Sequence, residues 1–446
     1  MYTDVRGHII TTDNQSAAIA CSDAIEKFIQ RKIDVVPLLQ KSLQADPDCA
    51  FTQAVFGLML HGARNSNLRA NTAATLATAQ QCHTPTTERE RMYVAALESA
   101  VAGDLYGLVG CYEKILNEDP TDLLTLVLAQ GELFWLGDMK QSLQLSQKVH
   151  SSWNREISGY ADYLSVRAFD LEEAGQYVLA EACGREGVAL DKHNVWGAHA
   201  VAHVLFMQGR HAEGVDWLQG LQDHWQDTNQ MKFHIWWHQC LFYLEQKQFD
   251  AVLDGYDRWV RNLDESLMQA IPDLYIDMQN GASMLWRLEH AGVDVGNRWH
   301  EMAELAHPRI SDMSSPFTSA HFAIILAAVG QFEDCDALLE YMRKFANTES
   351  HSLASRYADA AIPAAVGAVA HRRGDYQAAF TAMMPARHAF WQMGGSHAQQ
   401  DVFFQILVDA AFKAGHRAEA KALLNEIEVI GFSEPSQRVA YEAVVA

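Results

Sequence analysis

The chain has 446 residues, a formal net charge of −22, 49% apolar and 10% aromatic residues. That apolar content excludes a disordered chain, and so acidic a surface repels phosphate backbones and anionic membranes, so neither nucleic acid nor membrane is an expected partner. Ten prolines favour long helices over a loop-rich β architecture, and seven scattered cysteines without a C-x-x-C read as reduced thiols of a cytoplasmic protein.

In chain order, Met1–Arg6 is polar and lacks the apolar core of a secretory signal. No apolar run approaches the ~20 residues needed to span a bilayer. Val35 to Pro47 reads as the second helix of an early unit. Ala70 to Thr87 is rich in alanine and threonine and ends in Thr84-Pro85-Thr86-Thr87, which predicts a loop before a helix. Thr86 or Thr87 is placed to cap that helix, with Glu88 and Glu90 at its positive end.

A repeat then sets in. Gly103, Gly137, Gly175 and Gly209 are spaced by 34, 38 and 34 residues. A tetratricopeptide unit, two antiparallel helices about a tight turn, is about 34 residues long. Five residues after the glycine the helices cross closely and want a small residue. Ser142, Ala180 and Gly214 comply and Leu108 does not, while Pro120 sits where a second helix should end. A further unit aligns on Lys247 and lacks the glycine. Gly330, Gly374 and Gly415, with Cys335, Ala379 and Ala420 at the same offset, mark later units at longer spacings of 44 and 41. Val293 to Pro316, with Gly296, Pro308 and Ser315, reads as an insertion or lid.

The expectation is an all-α fold: tetratricopeptide-like helical hairpins in one curled right-handed solenoid over residues 1–446, more than ~60% helical. Residues 1–87 would be divergent repeats, 88–292 regular repeats, 293–316 the insertion and 317–446 degenerate repeats. Nothing in the sequence sets an oligomeric state.

Function points to histidine. Seven fall within 46 residues, from His193 to His238, and four form two H-x-x-x-H pairs, His199/His203 and His234/His238. That spacing places both rings of a pair on one helix face. With the turn glycine as repeat position 15, Trp196, His199 and His203 occupy positions 2, 5 and 9 of a first helix, which line the concave wall. With Lys247 as position 15, His234 falls at 2 and His238 at 6, nearer the flank. His321 falls at 6 of a later unit. One cavity is therefore expected, bordered by His199, His203, His234 and Trp236 or Trp237, and closed by His321.

Three readings stay open. The rings are hydrogen-bonded filling of the superhelix; or they line a pocket for a small organic ligand as acid, base or donor; or the two pairs hold a divalent metal. Position 6 facing away from 5 and 9 speaks against four-ring convergence, so the expectation is no cofactor. A peptide-binding adaptor is the rival of another class. Its groove would want Lys, Arg and Asn, where this chain has His199, His203, Ser165, Phe169 and Asp162. Met393 to Asp401 offers a Gly-Gly turn and a helix start, which reads as an anion site or as a plain turn capped by Ser396.

The motifs together resemble a known family. His199-Ala200-Val201-Ala202-His203, His234-Ile235-Trp236-Trp237-His238, Ser283-Met284-Leu285-Trp286-Arg287-Leu288, Gly292 to Trp299, Ala320-His321-Phe322 and Gly394 to Phe403 carry the likeness over nearly the whole chain. It is similar to the tetratricopeptide-repeat protein thirty-eight family. The resemblance implies a helical-repeat fold and brings no reaction with it. It carries over onto His199, His203, His234, His238 and His321, and makes Asp277 a candidate inward carboxylate. Gln400 stands where an arginine is usual, and Ser319 where an aspartate is. The candidate catalytic residues are thus His203, His199, His238 and Asp277, and the candidate ligand contacts His234, Trp237, Trp236, Trp196, His321, Gln399 and Asp401.

Overall fold

A computed structural model describes residues 1–82, 86–348, 350–429 and 433–446. It is 74% helical. Tyr2–Thr3 pairs antiparallel with Ile9–Ile10, and the rest of the chain is built from helical hairpins. The first helices that matter for function are Tyr160–Glu173, Val195–Met207, Met231–Glu245 and Tyr275–His290. Their second helices are Tyr177–Leu190, His211–Gln219, Phe249–Gly255 and Arg298–Ala306.

The hairpins reverse on left-handed residues, most of them on a single one. Gly103, Gly137, Gly175, Gly209, Gly330, Gly374 and Gly415 all have positive φ and all lie between paired helices, as the spacing predicts. At Gly137 a second constraint adds to the first: a Cβ there would meet the Trp391 carbonyl oxygen at 2.1 Å. The unit aligned on Lys247 keeps the same turn without the glycine, because Lys247 itself adopts φ +58°.

Two expectations fail. The stretch from Ala70 is not a loop: Arg69–Gln81 is a helix. Alanine is the strongest helix former, and the threonines return their hydroxyls to the helix itself, Thr72 to the Leu68 carbonyl and Thr78 to that of Ala74. Residues 83–85 of that stretch lie outside the described residues. Thr87 does cap the next helix, in a capping box with Glu90. Nor is 293–316 an insertion, since it contains the helix Arg298–Ala306, which buries Trp299, Met302, Ala303 and Ala306. Its glycine, proline and serines punctuate helix ends: Pro308 a 3-10 turn, Ser315 an N-cap with Pro316 beside it. Gly292, at φ +82°, is the turn residue of this unit.

The array curls until late repeats pack on early ones. Ser352 N donates to the Gly103 carbonyl at 3.0 Å, Ser66 N to Asp312 at 3.0 Å, and Arg309 to the Arg64 carbonyl at 3.3 Å. At the C-terminal end the fully buried Arg438 bonds Glu245 at 2.9 Å and Asp401 at 2.7 Å. The N-terminal hairpin is braced by His8, which lies 3.0 Å from Asp4 and 2.8 Å from Asp119.

Two tests follow from these contacts. A non-glycine residue in the left-handed region costs about 1–2 kcal/mol, so Lys247→Gly should stabilise the protein by about 1 kcal/mol in urea unfolding. The exposed Lys247–Glu442 ion pair contributes little against that. Lys247→Ala, which loses the ion pair and keeps the strain, should bring no gain. His8 supplies a pH test. Burial opposes its charge, but hydrogen bonds with Asp119 and Asp4 outweigh that and raise it to about 9. The brace is therefore fully present below pH ~6.5 and is lost as pH rises through about 9. His8→Gln should cost about 1.5 kcal/mol at pH 6 and far less at pH 10. An equal cost at both would assign the ring to packing alone.

Candidate functional site

The two H-x-x-x-H pairs meet. His199 and His203 project from Val195–Met207, His234 and His238 from the next first helix, Met231–Glu245, and none is more than 3% exposed. Their Nε2 atoms form a series: His203 to His199 at 2.9 Å, His199 to His234 at 3.0 Å, His234 to His238 at 3.2 Å. One ligand atom from each of the four lies within 4.8 Å of the others. The expectation that His238 faces away is thus overturned. Position 6 does sit on the helix flank, but that flank is turned to the preceding first helix, and the His238 ring lies 4.4 Å from that of His203.

The imidazoles meet one another across the space they were expected to border. His321 does not close it: its ring packs between Phe317 and Phe403, and its Nδ1 donates to the Phe317 carbonyl at 2.8 Å. Trp237 belongs to the site, stacked on His234 at 5.3 Å with its indole N–H on Ser283. Trp236 points elsewhere, into Trp225 and Trp259. Trp196 packs on His199 at 4.7 Å and gives its N–H to Gln130.

The remaining candidates are dispersed. Gln399 closes a capping box with Ser396, and Asp401 receives Arg438, Tyr441 and Gln405; both are tied into structure. Gln400 donates to the Gly394 and Gly395 carbonyls. Ser319 bonds the Tyr357 hydroxyl at 2.9 Å. Asp277 is buried one helical turn before Asn280, and its oxygens have no hydrogen-bond partner among the described residues. Burial pushes its carboxyl up to about 8, against the opposing pull of Arg261.

Three residues of the surroundings escaped the sequence reading. Asn280 meets His234 Nδ1 at 3.1 Å. Glu172 stands 3.4 Å from His203 Nδ1, and Glu173 beside it stands 3.5 Å from His397. The legible signal was a pair of adjacent carboxylates at the end of the preceding first helix, three residues before its turn glycine. Apart from the neighbouring Glu173 carboxyl, no described residue donates a hydrogen bond to the Glu172 oxygens. Burial pushes the Glu172 carboxyl up to about 8 and that of Glu173 well above its usual range.

Desolvation governs the rings as well. It depresses His203 and His234 to about 3, and His199 and His238 well below the ordinary imidazole value. All four are neutral at physiological pH. A neutral imidazole Nε2 carries either one proton or one lone pair. Three contacts in series among four such atoms therefore cannot all be linear hydrogen bonds; two is the most that can be met. A cation that takes all four lone pairs removes the conflict. Every proton then sits on Nδ1, where His234 donates to Asn280 and His203 faces Glu172, the outer partners that metal-bound imidazoles characteristically have.

Among the described residues no helix is long and apolar enough to cross a membrane.

No family model matches the chain. Among solved structures it is similar to yeast Tom70, with 11% identity and a TM-score of 0.39 over 96% of this chain and 86% of that one. It is similar to a chain of the APC/C hetero-tetramer Cut9–Hcn1 at 10% identity and TM-score 0.44, covering 96% and 75%. Human IFIT1 shows 10% identity and TM-score 0.41, covering 94% and 96%. With its left-handed turns between successive helix pairs, the chain is an all-α helical-repeat protein of tetratricopeptide-like hairpins.

Proposed function

We propose that this protein is a helical-repeat binding scaffold whose inner wall holds a transition-metal ion, zinc by coordination preference, through His199, His203, His234 and His238. The convergence of four Nε2 atoms in one buried space carries the reading. Nitrogen ligands about 2.05 Å from zinc in a regular tetrahedron stand about 3.3 Å apart. The contacts of 2.9, 3.0 and 3.2 Å are close to that spacing. An all-imidazole set suits zinc, copper, iron or nickel, and four-coordinate tetrahedral geometry favours zinc. Four protein ligands leave no open position, so the role is structural: the ion ties two successive first helices together. Neutral ligands leave its charge uncompensated, and the Glu172 carboxyl beside His203, which burial alone pushes up to about 8, would ionise against the cation and balance it.

Acid–base catalysis by His203, His199 or His238 fits less well. A general base works best near the operating pH, whereas burial holds His203 down at about 3. The likeness to the tetratricopeptide-repeat protein thirty-eight family is part of the same proposal, since four of the five histidines it carries over make up this site. A repeat array presents an extended surface to a partner, a peptide or a small molecule; the ion would fix the curvature of that surface.

Metal analysis of the purified protein tests the reading. We expect about one ion per chain, and less than about a fifth of that in His203→Ala and His238→Ala. Chelation should lower the Tm of the wild type, and zinc should restore it. Cobalt(II) should give the intense visible bands of a tetrahedral site, a readout that needs no variant. Wild-type protein that is isolated without metal, takes up neither ion and keeps its Tm on addition of zinc would overturn the proposal.

A further inference from the structure

Beside the histidine site, sharing Trp196 with it, lies a half-open cleft of about 290 Å³ lined by Arg31, Lys32, Asp162, Asp191, Asn194 and Trp196 among others. We propose that it is a binding site for a small zwitterion, a free α-amino acid or close analogue, with its carboxylate on Arg31 and its ammonium on Asp162. The proposal does not depend on the metal.

Arg31 is an unusual residue in three respects. Its backbone is left-handed, at φ +58°, a strain of about 1–2 kcal/mol for a residue with a Cβ. That backbone is also clamped. The Arg31 carbonyl accepts the Asn229 N–H at 2.7 Å, Lys32 bridges to Thr228, and Lys32 Nζ pairs with Asp227 at 2.6 Å. Its guanidinium lies 4.7 Å over the Trp196 ring, yet among the described residues it has no ion-pair partner, and its buried Nε has no hydrogen-bond partner. The left-handed backbone belongs to the turn between Gln15–Ile29 and Val35–Ala45, as at Lys247; the feature that packing does not require is the clamped guanidinium without an ion pair.

Asp162 is its counterpart. It sits in the first turn of Tyr160–Glu173 and faces the same cleft. It makes no salt bridge with Arg31, and the attraction of Arg6 and, more weakly, of Arg31 only partly offsets its burial. Burial pushes its carboxyl up to about 7. Of the other charges in the wall, Lys32 is paired with Asp227, while the Asp191 carboxylate accepts only the neutral His193 N–H at 2.9 Å and has no ion pair among the described residues. One cationic fork without an ion pair therefore shares a cleft with the carboxyls of Asp162 and Asp191, of which Asp162, desolvated by burial, attracts it.

That combination selects the ligand. A guanidinium binds a carboxylate through two parallel N–H···O bonds, and a carboxylate receives an ammonium. A phosphate or dianion would meet the acidic wall of Asp162, Asp191 and Asp227, and a simple cation would meet Arg31. The volume stands at the lower edge of the ~300–1,000 Å³ of small-molecule sites, which suits a ligand of amino-acid size. The Trp196 ring offers an apolar wall for a side chain.

Isothermal titration of the wild-type protein with each of the twenty proteinogenic amino acids tests this, with N-acetyl and carboxamide derivatives of any that bind. At least one free amino acid should bind with a Kd between about 1 µM and 1 mM. Its N-acetyl and carboxamide forms should each bind at least about tenfold more weakly, as should Arg31→Met and Asp162→Asn toward the free form. Far-UV circular dichroism should be unchanged in both variants, and the derivative series, made on the wild type, stands even if Arg31→Met fails to fold. No binding by any of the twenty at about 10 mM overturns the proposal. So does an N-acetyl derivative that binds as well as its parent, which would make this a plain carboxylate site.

Discussion

Everything in this chain depends on a backbone reversal made within two or three residues, many times over. The reversal needs one residue in the left-handed region after each first helix. It sets where the next helix starts, and so which residues of successive first helices face one another. His199 and His203 meet His234 and His238 because Gly209 and Lys247 end their helices with the same geometry. The i, i+4 spacing then does the rest, keeping each pair on one face. A lysine can hold the turn because the penalty is small beside the packing of the hairpin it closes, with Val252 and Leu241 fully buried across it.

The inner wall that results is unusually polar for a buried surface. Four imidazoles, the Glu172–Glu173 pair and the Arg438, Asp401 and Glu245 group are all nearly inaccessible to solvent. Unpaired, such groups cost several kcal/mol each. The arginine group answers this with direct ion pairs, which bind the C-terminal segment to two first helices. The imidazoles have no such partner set: His199 Nδ1 and His238 Nδ1 find none among the described residues, and the Nε2 series is over-subscribed. The two halves of the wall are thus solved differently, one by opposite charge and one by a geometry suited to a cation. Neutral rings are the right protonation state for the second, since a metal ligand must present its lone pair.

How far the sequence went is clear at particular residues. The seven turn glycines were legible because a left-handed position leaves a residue-type signature at a fixed spacing. Lys247 left none, yet the flanking pattern still located its turn. The four histidines were legible as two pairs; their convergence was not, because it depends on which flank of one helix abuts its neighbour, and a repeat register counted along one chain does not carry that. Glu172 and Asn280 were missed for the same reason: they reach the site from the helices before and after it. Arg69–Gln81 was misread because threonine suggests a loop by composition, whereas its hydroxyl is satisfied by the preceding turn of a helix. The segment 293–316 was misread because its breakers were counted without noting that they fall at helix ends.

Trp196 links the two regions of interest. Its ring contacts the Arg31 guanidinium at 4.7 Å and the His199 ring at 4.7 Å, with Phe169 at 4.9 Å and its N–H fixed on Gln130. A ring so constrained on several sides has little freedom to adjust by itself. His199 sets the position of the indole, and the indole sets the position of the guanidinium at the cleft. Preorganisation of the cleft by the histidine site would run through these two contacts, a cation over the indole and a tilted ring pair. That is how a structural ion, with no open coordination position and no access to solvent, would still matter to binding: it would hold the back wall against which an exchangeable ligand is read.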